Sequence, residues 1–155
     1  MNLDIINSFV TATSDIVGTQ ANVDCNRREV QIKECSKSYG KVSGIVEIQV
    51  SDSKGFYVIT FTEQLIYNLM SDIAGDNSKA INGTAKGIVN EIAYMVTTMA
   101  KSILQRKGFS FNLDMPEVLS GEDYLINHVN KAPVILVPYN TSLGDFFIEM
   151  YFEQM

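Results

Sequence analysis

Residues 90 to 103 read NEIAYMVTTMAKSI and carry one carboxylate, Glu91, on a stretch whose apolar spacing predicts an amphipathic helix. Ile88, Ile92, Met95, Met99 and Ile103 make its apolar side, and Gly108 stops it. Opposite them lie Glu91, Tyr94, Thr98, Lys101 and Gln105, with Gly87 one turn before. Residues three or four apart on a helix are neighbours, with Cβ atoms about 5 to 6 Å apart, so Glu91 and position 94 can touch one small partner together. A Glu on an exposed face is most often only solvated. An aromatic beside it on the wet side is more often a contact residue.

The elements that must hold this stripe follow from the rest of the pattern. Leu3, Ile6, Val10 and Val17 stand at helical spacing before Gly18, which predicts an opening helix over residues 3 to 17. In KVSGIVEIQV the residues Val42, Gly44, Val46, Ile48 and Val50 alternate, SDSKG turns, and FYVITF continues in β-branched and aromatic residues, which predicts a hairpin. Thr62 and Gly75 bracket a second helix with Leu65, Leu69 and Ile73 on one face. After the third helix come FSFNL, a loop around Pro116, an ambiguous GEDYLINHVNKA, and a closing hairpin of PVILVPY, NTSLGD and FFIEMYFE. Phe146, Ile148, Met150 and Phe152 share one face of the last strand. Hairpins outnumber strand-helix-strand units, so the expected fold is α+β, a layered domain with a largely antiparallel sheet and two long helices packed on one face. The first and third helices also echo each other, DIINSFVTATSDIV on GIVNEIAYMVTTMA, with Asn7 on Asn90 and Ser8 on Glu91.

Composition narrows the function classes. The 155 residues suit a single domain spanning 1–155, burying roughly two thirds of its unfolded surface. The net charge is −6 and the basic residues form no stripe, which argues against nucleic acid. The apolar run PVILVP at 133 to 138 is far short of the ~20 residues of a membrane span, and the start lacks a basic segment, so a cytoplasmic protein is expected. Cys25 and Cys35 stand ten apart without a CxxC or a nearby His, the pattern of buried free thiols and no metal site. His128, the one histidine, has no nucleophile or carboxylate at a partner spacing and reads as structural.

Across nearly its whole length the chain resembles the CheX members of the CheC, CheX and FliY group of response-regulator phosphatases of bacterial chemotaxis. INSFVTAT, GKVSGIVEIQV, FYVITFTEQLIYNLMSDIAG, VNEIAYMVTTMAKSIL, GFSFNLDMPEVLSG and LGDFFIEMYFE carry the likeness in order and spacing. The resemblance implies an active helix bearing an Asp or Ser, then a Glu four residues on, then an Asn three further on, with a Pro about 22 residues downstream. Glu91 matches the Glu and Pro116 the Pro, while Gly87 stands where the Asp or Ser belongs and Tyr94 where the Asn belongs.

What the resemblance implies for partners is a CheY-type receiver domain that brings its own Mg2+ on an aspartyl phosphate, with no cofactor held by this chain, and a homodimer joined at sheet edges. Glu91 is then the retained catalytic and docking group, and Gly87, Glu91, Tyr94 and Thr98 form the partner surface. In such a phosphatase an Asn amide orients the attacking water while the Glu pairs with the receiver's Lys. Tyr94 has a hydroxyl, but one several ångströms farther from the backbone, and Asn90 is turned about 100° from Glu91. Three functions stay open: a phosphatase impaired at Tyr94, a receiver-binding or sensing module without hydrolysis, and a plain dimeric scaffold.

Overall fold

The computed structural model describes residues 3–122, 124 and 133–154. In chain order its elements are α1 (Leu3–Ala21), β1 (Asn26–Arg27), β2 (Gln31–Lys33), β3 (Val42–Val50), β4 (Ser53–Phe61), α2 (Glu63–Ala74), α3 (Gly83–Arg106), β5 (Phe111–Leu113), β6 (Glu117–Ser120), β7 (Val134–Asn140) and β8 (Phe146–Gln154). His128 and most of the ambiguous stretch lie outside the described residues.

The sheet follows the order β1-β7-β8-β4-β3-β5, with β2 also on β7 and β6 also on β3. Every described pair is antiparallel. Alternation explains the layering, because successive side chains of a strand point to opposite faces. Val42, Val46, Ile48 and Val50 of β3, Tyr57, Ile59 and Phe61 of β4, and Phe146, Ile148 and Met150 of β8 all turn to one face and are buried. That face receives α1 and α3. Phe9 of α1 stacks on Tyr57 with ring centroids 5.3 Å apart, and the Thr13 hydroxyl lies 2.9 Å from the Tyr57 hydroxyl.

The α+β architecture and both hairpins agree with the sequence expectation, and the helix faces need correction. On α1 the buried side is Ile5, Phe9, Ala12, Thr13 and Val17, while Leu3 is 71% exposed. Gly18 does not stop the helix, which runs to Ala21. On α2 the buried residues are Leu65, Ile66, Leu69 and Met70, and Ile73 is exposed. Ser53, Lys54 and Gly55 belong to β4, so only Ser51 and Asp52 turn the first hairpin. Cys25 is half-buried and Cys35 exposed, both free. The echo aligned on Ser8 and Glu91 sets a buried residue on an exposed one. Shifted by one residue, buried Ser8, Phe9, Ala12 and Thr13 fall on buried Ile92, Ala93, Val96 and Thr97.

Part of the opposite face of the sheet is also buried, around Ser43, Thr60 and Glu149. Lys33 and Glu149 form a buried ion pair there at 2.8 Å. Ser43 bonds the Thr60 hydroxyl at 2.5 Å and the Tyr124 hydroxyl at 2.6 Å. Buried ions are tolerated only when paired.

Helix α3 rests on β3 at Gly44. A Cβ at that position would stand 2.9 Å from the Ala93 Cβ and 3.2 Å from Val89 Cγ1. Overpacking of a well-filled core costs about 1 to 3 kcal/mol, so Gly44→Ala is expected to lower stability by about that amount in urea denaturation. Unchanged stability would mean that α3 shifts freely on the sheet.

Candidate functional site on helix α3

The N-terminus of α3 is set by the loop between α2 and α3. Gly75 takes φ 65 and closes α2, its N–H donating to the Ser71 carbonyl at 3.0 Å. A left-handed residue at this place suits glycine. Asp76 follows, accepting from the Ser78 N–H at 3.0 Å and the Ser78 hydroxyl at 2.5 Å. Its other oxygen accepts from the Asn82 amide at 3.0 Å, and the Asn82 side-chain oxygen caps α3 by accepting from the Ala85 N–H at 3.2 Å. One carboxylate thus holds the residue that caps the helix. These bonds, those from Ser78 first, keep the Asp76 carboxyl far below the usual carboxylate range.

From that fixed start, the residues of α3 sort by face. Ala85, Ile88, Val89, Ile92, Ala93, Val96, Ala100 and Leu104 are buried. Thr97 is buried with them, its hydroxyl donating to the Ala93 carbonyl at 2.9 Å. Met95, Met99 and Ile103, placed on the apolar side from sequence, are only half-buried, because the small residues turn the helix about its axis toward β3. Gly87, Glu91, Tyr94 and Thr98 fall on the exposed side, spaced four, three and four apart, and Tyr94 is 44% exposed. Lys101, assigned to the same stripe from sequence, is half-buried.

Nothing within the described residues occupies this stripe. Glu91 makes no salt bridge among them. A Cβ at Gly87 would meet no atom within 4 Å, so the position has room for a side chain. An exposed carboxylate and an exposed phenol on adjacent turns can recognise a cation and an apolar surface on one partner.

Pro116 sits where β3 changes partner. Ile48 pairs with Leu113 and Ile45 with Glu117, so residues 114, 115 and 116 oppose only 46 and 47. The extra residue makes a bulge, and proline is tolerated there because it has no N–H to give the ladder. Strands β5 and β6 both touch α3, so the bulge lies at the edge of the helix layer.

Among the described residues no three His, Cys, Asp or Glu side chains converge as a metal site, and no helix is long and apolar enough to cross a membrane.

The comparisons with known proteins bear on this helix and sheet together. The family model described as "Chemotaxis phosphatase CheX" matches residues 42–140, which include β3, β4, α2, α3 and β7. The chain belongs to the CheX family. A CheC-like superfamily protein from Shewanella sp. PV-4 superposes with TM-score 0.90 at 32% identity, covering 99% of both chains. The chemotaxis protein CheX from Vibrio vulnificus superposes with TM-score 0.85 at 31% identity, covering 96% of this chain and 99% of that one. A CheX–CheY–BeF3–Mg2+ complex from Borrelia burgdorferi shares the fold, with TM-score 0.80 at 17% identity over 99% of this chain and 100% of that one. No curated protein matches the chain.

Sequence reasoning found the exposed stripe and missed its brace. The signal was present in DNSKAING, where Asp76 two residues before Ser78 favours a side-chain turn and Asn82 three residues before Ala85 favours a cap.

The brace has a pH signature. The folded Asp76 carboxyl is depressed below its ordinary value of 3.8, so its stabilisation is complete above that value and disappears as pH falls below it. Asp76→Asn is expected to lower the melting temperature at pH 7 and to flatten its decline between pH 5 and 2, read by circular dichroism. A variant with the wild-type acid profile would show that the carboxylate carries no such linkage.

Proposed function

We propose that this CheX-family chain docks a phosphorylated CheY-type receiver domain on the Gly87–Glu91–Tyr94–Thr98 stripe, in the cytoplasm, and hydrolyses its aspartyl phosphate only weakly. The observation that carries the proposal is Glu91 on an exposed face of α3, at the family's spacing and without an ion pair among the described residues. Its support from outside the chain is the Borrelia burgdorferi CheX, which shares the fold and was crystallised with CheY carrying BeF3 and Mg2+.

The chemistry divides between the partners. The receiver supplies the phosphoryl group, Mg2+ and a Lys, and the phosphatase contributes position. Glu91 pairs with that Lys and sets the receiver on the helix. Water then attacks phosphorus in line with the aspartyl oxygen, releasing inorganic phosphate and a free carboxylate. This step needs an oriented water, and a misplacement of about 1 Å can cost a hundredfold. Tyr94 reaches past the place where a short amide would hold that water, so docking survives better than turnover. The second reading, a receiver-binding module without hydrolysis, is favoured by the same residue.

A homodimer joined at a sheet edge belongs to the proposal. Edge strands left open invite pairing with another chain, and β2 presents Ile32 at an edge with more than half its surface exposed. Light scattering at micromolar concentration is expected to give twice the monomer mass, and a monomer mass would remove the dimer.

Two measurements separate docking from turnover. Glu91→Ala is expected to weaken calorimetric binding of a beryllofluoride-loaded receiver by about 2 to 5 kcal/mol, the typical loss on truncating one partner of a charge pair that docking buries. Tyr94→Asn is expected to speed loss of phosphate from the receiver at least about tenfold over wild type, about 1.4 kcal/mol of barrier. Robust wild-type turnover that Tyr94→Phe abolishes would show the tyrosine hydroxyl doing the work of the amide. Robust turnover that Tyr94→Phe leaves intact would move the chemistry to other groups.

A further inference from the structure

Helix α3 is flanked by α1 on one side and by the sheet edge of β5 and β6 on the other. On the first side α1 stands over β4 and β8, where Phe9 meets Tyr57 and Phe152. On the second, the bulge between β5 and β6 carries Met115. Alternation fixes the face to which it turns. Leu113 packs against the core under the helices and Asp114 lies on the opposite face beside Glu47, so Met115 turns back to the helix side. It is 71% exposed there, and no described large apolar side chain is more so.

The register places Met115 along the helix. Gly44 lies under Val89 and Ala93 and pairs with Val118 of β6. Helix α3 and strand β3 run the same way, since the chain leaving α3 reaches the end of β3, where the Ser51 N–H donates to the Ser110 carbonyl at 2.9 Å. The bulge opposes residues 46 and 47, an advance past Gly44 of about 7 to 10 Å at roughly 3.3 Å per strand residue. At about 1.5 Å per helix residue the same advance covers about five to seven residues beyond 89 and 93. Met115 is therefore level with the turns that carry Tyr94 and Thr98. A single exposed apolar side chain is ordinary. Here two of them, Tyr94 and Met115, stand level on neighbouring elements next to the carboxylate of Glu91.

We propose that Met115 is a specificity-determining contact of the docked receiver, packing with Tyr94 against an exposed apolar side chain that lies beside the receiver's Lys. The inference rests on the docking reading above and extends its surface from the helix to the sheet edge. An unbranched thioether adapts to the shape it meets, and its burial excludes water from the charge pair next to it. Receivers with a charged residue at that place are disfavoured, because docking would bury the charge against sulfur and ring. The bulge at Pro116 then has a use beyond closing the sheet, since it holds Met115 out from the edge.

Calorimetry with a beryllofluoride-loaded receiver reads the contact. Met115→Ala is expected to weaken binding about tenfold, the loss of most of one buried side chain's apolar surface, and Met115→Leu to restore most of it. The melting temperature is expected to stay unchanged in both, because the side chain is exposed in the free protein. Peroxide footprinting read by mass spectrometry gives a second measure, in which Met115 is expected to oxidise several-fold more slowly with the receiver bound. Binding that Glu91→Ala weakens and Met115→Ala leaves equal to wild type, or an oxidation rate the receiver does not change, would overturn the contact and leave docking standing. Equal binding by wild type and Glu91→Ala would remove the docking and this contact with it.

Discussion

Helix α3 lies so close over β3 at position 44 that even a Cβ there would force a shift. Gly44 faces Ala93 and Val89, and the contact sets both the height of the helix over the sheet and its rotation. Interiors are packed like crystals of small molecules, so such a contact leaves little freedom to roll. Ala93 and Val89 face the sheet there, and the residues on the far side of the same turns face water. Gly87, Glu91, Tyr94 and Thr98 are therefore exposed as a consequence of packing at one glycine. The Asp76–Asn82 brace adds the remaining constraint by fixing where the helix begins.

The strands were the most legible part of the fold, and the helix faces the least. In β3 and β8 most inward residues are large and apolar, with Gly44 the exception, and period two then sets which face meets the helices. In α1, two sets of apolar residues compete, the expected Leu3–Ile6–Val10–Val17 and Ile5–Phe9–Val17, which have Val17 in common. The second is buried because Phe9 fills the centre against Tyr57, Phe111 and Phe152. Ser8 and Thr13 go in with it, which a hydrophobic pattern cannot show. Each hydroxyl donates to the carbonyl four residues earlier, at 2.7 Å in both cases, so the polar group arrives already satisfied. Thr97 repeats the device on α3. Strands β1 and β2 escaped notice for a different reason, since two or three residues are too few to display a period.

The candidate site was legible in proportion to how much it depends on helix geometry alone. Spacing of three and four along one helix predicts neighbours without knowledge of the fold, and Glu91 and Tyr94 are both exposed. Lys101 was misplaced because a helix seated on a flat sheet buries a wider arc than the apolar residues mark. The role of Pro116 needed the register of β3, because a bulge is a relation between two strands.

The two departures from the motif that the resemblance implies, Gly87 and Tyr94, are alike in how little the fold asks of them. At Gly87 there is open space, so a side chain could be restored without moving anything, and a glycine inside a helix costs about 0.5 to 1 kcal/mol relative to alanine. Its presence opposes helix stability. Tyr94 is likewise exposed, its ring in no described aromatic pair and its hydroxyl in no described hydrogen bond, and tyrosine is a weaker helix former than alanine or leucine. Neither residue is explained by packing, capping or propensity. The fold would accept a small polar residue at both places. A flat backbone at 87 and an aromatic ring at 94 remove one polar group, widen the approach to Glu91 and place apolar surface beside it. In the docking proposed above, that exchange would favour contact with the receiver over the holding of a water.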